Sequence, residues 1–260
     1  MEKLTIRRDG AAIPVTVAGD GPAAVFVPGL GGTQAQLGAL FEGLRRHLRL
    51  ATFDHRGHGT SSVGGPYDYP TFGADTSAVL DALGGPGSLV LIGHSMGADL
   101  LVDQAAALPA APRGLILIDG GTPLSSSLLT PAELEGMRQA MGSEEALELQ
   151  RSLAGTPHQV ALSGDDIFRL QDEIDQHRRT AAERFDRIDG PITMIMSEFM
   201  AGTESDRARE LNQAWRDAVD TLAASRPTIT VRRVPAGHDL VATHPDEVLE
   251  LIVAALAAGQ

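Results

Sequence analysis

The chain has 260 residues, 43% of them hydrophobic, no cysteine and a formal net charge of −13. That size and apolar content suit one α/β domain carrying an insertion, and the lack of Cys excludes disulfides, a thiolate metal site and a cysteine nucleophile. The acidity argues against nucleic acid or an anionic membrane as partner. No run approaches the ~18 apolar residues of a membrane span, and the opening Met1-Glu2-Lys3-Leu4-Thr5-Ile6-Arg7-Arg8 has no hydrophobic signal core, so the expectation is a cytoplasmic protein.

Residues 4–8 and 13–18 flank Asp9-Gly10 and read as an antiparallel pair. Residues 23–27, 89–92, 115–118 and 192–196 are continuously apolar, as strands buried on both faces must be, and 50–53 and 228–234 are weaker strand candidates. Between residues 120 and 190 no strand is predicted, only three helical segments. The first opens on the capping box Thr130-Pro131-Ala132-Glu133 and stripes Leu134, Met137 and Met141. The second starts at Ser143 with Ala146, Leu149 and Leu153; the third starts near Ser163 with Ile167, Leu170 and Ile174. Farther on, Ala208, Leu211, Trp215, Ala218 and Leu222 form one helical stripe, and Val248, Leu249, Ile252, Val253 and Leu256 another, led by Pro245-Asp246-Glu247. Strand and helix alternate as in a mostly parallel, doubly wound α/β sheet. The predicted division is a core of residues 1–120 and 191–260, with residues 121–190 as a helical lid between the strand ending at Asp119 and the strand starting at Ile192.

Chemistry concentrates at Gly93-His94-Ser95-Met96-Gly97, which stands between a predicted strand and a helix-like stretch from 98 to 108. G-x-S-x-G in that context is a nucleophile elbow: the sharp turn strains its central residue, lifts Ser95 into a cleft and aims a helix N-terminus at it. A serine hydroxyl needs a base. Of eight histidines, His238 lies in Pro235-Ala236-Gly237-His238-Asp239, after the last predicted strand and at the carboxyl edge where ligands of open α/β sheets bind. His47, His177 and His244 fall in or beside helices and read as surface residues, whereas His58 and His94, in Gly-rich turns near the cleft, read as turn packing, with substrate contact as the alternative. An oxyanion hole needs two convergent N–H groups; Met96, after the serine, supplies one and Leu30, in Pro28-Gly29-Leu30-Gly31-Gly32, the other. The same glycines fail as a dinucleotide fingerprint, because Gln34 stands where the third glycine belongs, so no cofactor and no metal is expected.

Together, Pro28-Gly29-Leu30-Gly31-Gly32, Phe53-Asp54-His55-Arg56-Gly57-His58-Gly59-Thr60-Ser61, the elbow, and Ala236-Gly237-His238 with His244-Pro245 resemble the α/β-hydrolase superfamily over nearly the whole chain. The resemblance implies a Ser-His-acid triad. Where such proteins commonly carry the acid, after the penultimate strand, this chain has Ser197-Glu198-Phe199-Met200. Some relatives instead place it after the strand that follows the elbow helix, and there this chain has Asp119, with Glu198, Glu204 and Asp206 as rivals. The expectation is a serine hydrolase acting through an acyl-enzyme on a small-molecule carboxylic ester or lactone. Leu, Met, Ile and Phe168 of the lid suggest an apolar substrate part. C–C cleavage, a lyase or perhydrolase reaction, and a non-catalytic binding protein are alternatives on one scaffold.

Overall fold

The computed structural model of the chain describes residues 1–258. Eight strands form one sheet in the order β1-β2-β4-β3-β5-β6-β7-β8. They are β1 (Glu2–Arg8), β2 (Ala11–Ala18), β3 (Ala23–Val27), β4 (Arg49–Phe53), β5 (Val90–His94), β6 (Gly114–Ile118), β7 (Ile192–Ser197) and β8 (Ile229–Val234). β1 and β2 are antiparallel, as is β2 with β4; every pairing from β4 to β8 is parallel. Antiparallel strands can follow one another through a tight turn, and Asp9-Gly10, both at positive φ, makes that turn.

Strand alternation sorts the parallel core into two layers. Val25, Val27, Leu91, Leu115 and Leu117 point to one face, where α2 (Tyr69–Ala82), α3 (Met96–Ala106) and α8 (Asp206–Ser225) bury Val79, Leu101, Val102, Trp215 and Val219. Phe26, Val90, Ile92, Ile116 and Ile118 point to the other, against α1 (Gln34–Leu44), α9 (Leu240–Thr243) and α10 (Pro245–Ala258). Each fully buried aliphatic side chain contributes about 1.5–3 kcal/mol, so this double-sided core dominates stability. It is also why these strands read as unbroken apolar runs.

Four helices, not three, lie between β6 and β7: α4 (Pro131–Met141), α5 (Glu144–Leu153), α6 (Gly164–Arg178) and α7 (Ala181–Phe185). The Thr130 capping box closes as its sequence predicts, with Thr130 accepting from the Glu133 N–H and Glu133 accepting from the Thr130 N–H. α7 escapes sequence reading because five residues are too few to display a stripe; α9, with four, escapes for the same reason. α5 also corrects an expectation: its stripe is not covered, none of its residues is buried, and Leu149 is 60% exposed. α6 carries the real packing face, with Ile167, Leu170 and Ile174 set against Tyr69, Phe72, Met96 and Leu100. Among the described residues, the β-type pairing of the residue 120–190 stretch with the core is one isolated bridge, His58 to Val160, rather than a strand.

Register fixes the carboxyl edge. His94 pairs with Ile118, and Ile118 with Ile195, so β5 and β6 end in step while β7 runs two residues farther, to Ser197. The next residues on β5 and β6, Ser95 and Asp119, are tied in turn: Ser95 N–H donates to the Ile118 carbonyl and Asp119 N–H to the Ile195 carbonyl, each at 2.9 Å.

Candidate active site

Ser95 sits between β5 and α3 with φ 54° and ψ −125°. A non-glycine residue there costs about 1–3 kcal/mol, and the surroundings hold it. A Cβ on Gly93 would lie 2.6 Å from the Gly97 carbonyl oxygen, and one on Gly97 only 2.2 Å from that of Val27, so both flanking positions require glycine. Asp119 is the other strained non-glycine residue of this edge, at φ 45°.

The Ser95 hydroxyl lies 2.9 Å from His238 Nε2, and His238 Nδ1 lies 2.7 Å from Asp119 Oδ2. A carboxylate only accepts, so Nδ1–H donates to Asp119 and the neutral ring offers Nε2 to the serine O–H. Asp119 is fully buried, and its oxygens are saturated. Oδ1 accepts from the Ser197 N–H at 3.1 Å and from the Trp215 indole N–H at 3.0 Å; Oδ2 also accepts from the Ser197 hydroxyl at 2.7 Å. Burial alone pushes this carboxyl up, but the hydrogen bond and charge of His238, with the bonds from Ser197 and Trp215, outweigh it and hold the pKa below the ordinary aspartate value.

The rival acids lie elsewhere. Asp206 pairs with Arg209 at the surface with its side chain 89% exposed, Glu204 is exposed, and Glu198 makes no bond to His238. Met200, where an acid usually falls, packs against the core instead.

Leu30 and Met96 border the same cavity as Ser95 and His238. Among the described residues neither the Leu30 nor the Met96 N–H has an acceptor. Two imidazoles clamp the Leu30 loop. Gly31 N–H donates to His58 Nε2 at 3.1 Å, which requires the His58 tautomer whose Nδ1–H donates to the Arg56 carbonyl at 3.0 Å. His55 Nε2–H donates to the Pro28 carbonyl at 3.0 Å. Burial holds His58 below the ordinary histidine pKa and, with repulsion from His58, takes His55 down to about 4. The turn carrying them is fixed by the buried Arg56–Asp75 ion pair at 2.6 Å and by Asp54, which accepts from the backbones of Gln34 and Thr60. His94 does more than pack a turn: its Nε2–H donates to the His238 carbonyl at 2.9 Å and anchors the histidine loop. Burial, and then the neighbouring His238, take His94 to about 4, so it stays neutral.

The cavity has a volume of about 270 Å³. Leu128, Leu129, Met200 and Leu211 give it apolar walls, while α6 adds Gln171, Ile174, Asp175 and Arg178. Phe168, expected to supply an apolar surface, is not part of the lining, and α6 offers a largely polar face there instead. Sequence reading also missed Arg178, which donates to both oxygens of Asp99 from Nε and Nη2 and stacks 5.2 Å above the Trp215 ring. His177 is not a plain surface residue: it binds Asp103 at 2.6 Å, as does Arg184 at 2.7 Å, tying α6 and α7 to α3. The described residues contain no cluster of three His, Asp or Glu placed to hold a metal ion, and no helix among them is long and apolar enough to cross a membrane.

Comparison with known proteins shows what the chain is similar to. The model of the alpha/beta hydrolase family matches residues 24–251. The chain is 30% identical to polyketide synthase ThaQ of Burkholderia thailandensis over 161 residues, 60% of this chain but only 8% of the synthase. It is 25% identical to the 2-(acetamidomethylene)succinate hydrolase of Mesorhizobium japonicum over 221 residues, 82% of this chain and 71% of that protein. Among solved structures, a carboxylesterase of the thaumarchaeon Nitrososphaera gargenis superposes with a TM-score of 0.75 at 15% identity, covering 99% of this chain and 98% of that one, a likeness of fold.

Proposed function

The chain belongs to the alpha/beta hydrolase family, and we propose that it is a serine hydrolase that cleaves a carboxylic ester or lactone through an acyl-enzyme. The observation that carries this reading is the unbroken line of hydrogen bonds from Ser95 through His238 to Asp119, opening on a cavity where the Leu30 and Met96 N–H groups are free.

In this mechanism Ser95 Oγ attacks the carbonyl carbon while His238 Nε2 takes its proton. The ring becomes an imidazolium, and the ionised Asp119 beside Nδ1 stabilises that charge and fixes the tautomer. The Leu30 and Met96 N–H groups, at the positive end of α3, receive the oxyanion; donors already in place cost no reorganisation when charge appears. His238 returns its proton to the leaving alkoxide, then takes one from a water that clears the acyl group. The helices of residues 121–190 act as a lid: Leu128, Leu129 and the Gln171–Arg178 face of α6 close the cavity opposite the serine.

Labelling with a fluorophosphonate probe tests the proposal. Wild-type protein should be modified at Ser95 and Ser95→Ala should not; an unlabelled wild type would overturn it. One observation favours a second reading, cleavage of a bond other than an ester. The similarity to the 2-(acetamidomethylene)succinate hydrolase spans most of both chains, and the same catalytic groups serve such a reaction. Turnover of matched amides at rates above the esters would select it.

A further inference from the structure

On one face of α6, Gln171, Asp175 and Arg178 stand at helical spacing and line the Ser95 cavity together. Arg178 and Asp175 are 9% and 8% exposed, so they are not a solvated rim. Buried polar groups are nearly always paired, and the ones that are not need a reason. Arg178 spends Nε and Nη2 on Asp99, but among the described residues its Nη1 has no partner, and neither has the Gln171 amide. Meanwhile the guanidinium is locked in place by Asp99 on one side and the Trp215 ring below. A donor held rigid at a cavity wall, with no partner among the described residues, is free to meet a ligand atom.

We propose that this face is a specificity subsite that recognises an uncharged hydrogen-bonding group of the substrate, a primary carboxamide being the best fit. The proposal rests on the hydrolase reading above and names the substrate class for it. Charge decides against an anion. Of the charged side chains lining the cavity on α6, Arg178 is already paired with Asp99 and Asp175 is itself a carboxylate, so a carboxylate substrate would meet a guanidinium already neutralised and a like charge beside it. Burial also raises the Asp175 carboxyl above its ordinary value, the sign of a place that resists further negative charge. A carboxamide suits all three side chains: its oxygen accepts from Arg178 Nη1, and its N–H groups donate to the Gln171 oxygen and to Asp175, whose bond from Ser127 leaves it acceptor sites to spare. An alkyl end leaves them unpaired, and a site built to bond a polar group rejects the analogue that lacks it.

Calorimetric titration of the Ser95→Ala protein tests this without turnover. The ligands are monomethyl esters of succinamic, glutaramic and adipamic acids, the isosteres with isopropyl in place of the carboxamide, and the corresponding dicarboxylic monoesters. At the best chain length the carboxamide should bind at least ~10-fold tighter than its isostere, the worth of one or two bonds to charged partners. Gln171→Leu, a half-buried position whose replacement does not strand a charge, should reduce that ratio. Arg178→Met should abolish it, with circular dichroism checking the fold because Asp99 loses its partner. An isostere or a dicarboxylic monoester that binds as tightly as the carboxamide overturns the proposal, as does an absence of binding by all three series. Wild-type turnover of the same esters reads the other claim. Preference without turnover would refute hydrolysis and keep the subsite, whereas turnover without preference would refute the subsite and keep hydrolysis.

Discussion

Asp119→Asn is the most informative single change, because the structure dictates which way the new amide must face. Oδ1 accepts from two donors that cannot reverse, the Ser197 N–H at 3.1 Å and the Trp215 indole at 3.0 Å. The asparagine oxygen must therefore take that place, which puts the NH2 where Oδ2 was, 2.7 Å from His238 Nδ1. Facing a donor, Nδ1 must accept, and the proton of the neutral ring moves to Nε2. There it points at Ser95 and cannot receive the serine proton. A wrong tautomer of this kind lowers kcat by ~10⁴ in a well-studied protease triad, equivalent to about 5 kcal/mol of activation free energy. The backbone should not object: the volumes match, two of the four hydrogen bonds persist and the other two can re-form with the new NH2 as donor, so urea denaturation should shift by no more than about 1–3 kcal/mol. Steady-state ester hydrolysis gives kcat and denaturation gives folding. A folded variant that keeps kcat within tenfold of wild type would refute the claim that Asp119 sets the tautomer.

Ser95→Ala and His238→Ala should each lower kcat by at least ~10³ and the double variant little further, since triad members act as one unit; additive losses measured by steady-state kinetics would contradict this. His58→Ala removes the acceptor of the Gly31 N–H and loosens the Leu30 loop, so kcat should fall ~10–100-fold with KM nearly unchanged, a part of the ~10²–10³ that a lost oxyanion donor costs. His58→Gln, which can still accept, should recover some of it; equal defects in both variants would mean the loop does not depend on that bond. His55 and His94 are held neutral near 4 against an ordinary 6.5. Because the unfolded chain binds the proton first, stability is intact above pH ~6.5 and declines as pH falls toward ~4, by about 2 kcal/mol per histidine between pH 7 and 5. Urea melts at those two pH values should show His55→Gln losing less on acidification than wild type, and an identical loss would argue against the assignment. Asp75→Ala leaves Arg56 buried without its partner and should cost about 3–5 kcal/mol in the same assay, whereas a cost below about 1 would show the turn is held by other bonds.

The elements that the sequence exposed are those whose cause is local. Gly93 reflects a contact within one turn, although Gly97 answers to the Val27 carbonyl of the neighbouring strand; the apolar runs of β3, β5, β6 and β7 reflect burial on two faces, and Thr130 with Glu133 reflects a cap spanning four residues. What it hid depends on tertiary meetings. Trp215 looks like one more member of an apolar stripe; only the rule that a buried indole N–H needs a partner hints that it reaches Asp119, 96 positions away. Arg178 and Asp99 are 79 positions apart, and nothing in either segment announces the other. Phe168 misled in the same way, since residue type does not tell how far along a helix a cavity extends.

On the proposed assignment, having Asp119 at the end of β6 also relieves the segment after β7 of a duty. In relatives that carry the acid there, that segment is pinned by catalysis, because any remodelling displaces the carboxylate. Here Met200 and Ala201 of that segment line the cavity but lie outside the Ser95–His238–Asp119 relay. Exchanges between Phe199 and Ser205 can therefore reshape the chamber while the proposed relay residues stay where the ends of β5 and β6 and the loop after β8 hold them. A chain wired this way can diversify its choice of substrate by altering one short connection, and that connection is the natural place to graft variation when the protein is redesigned.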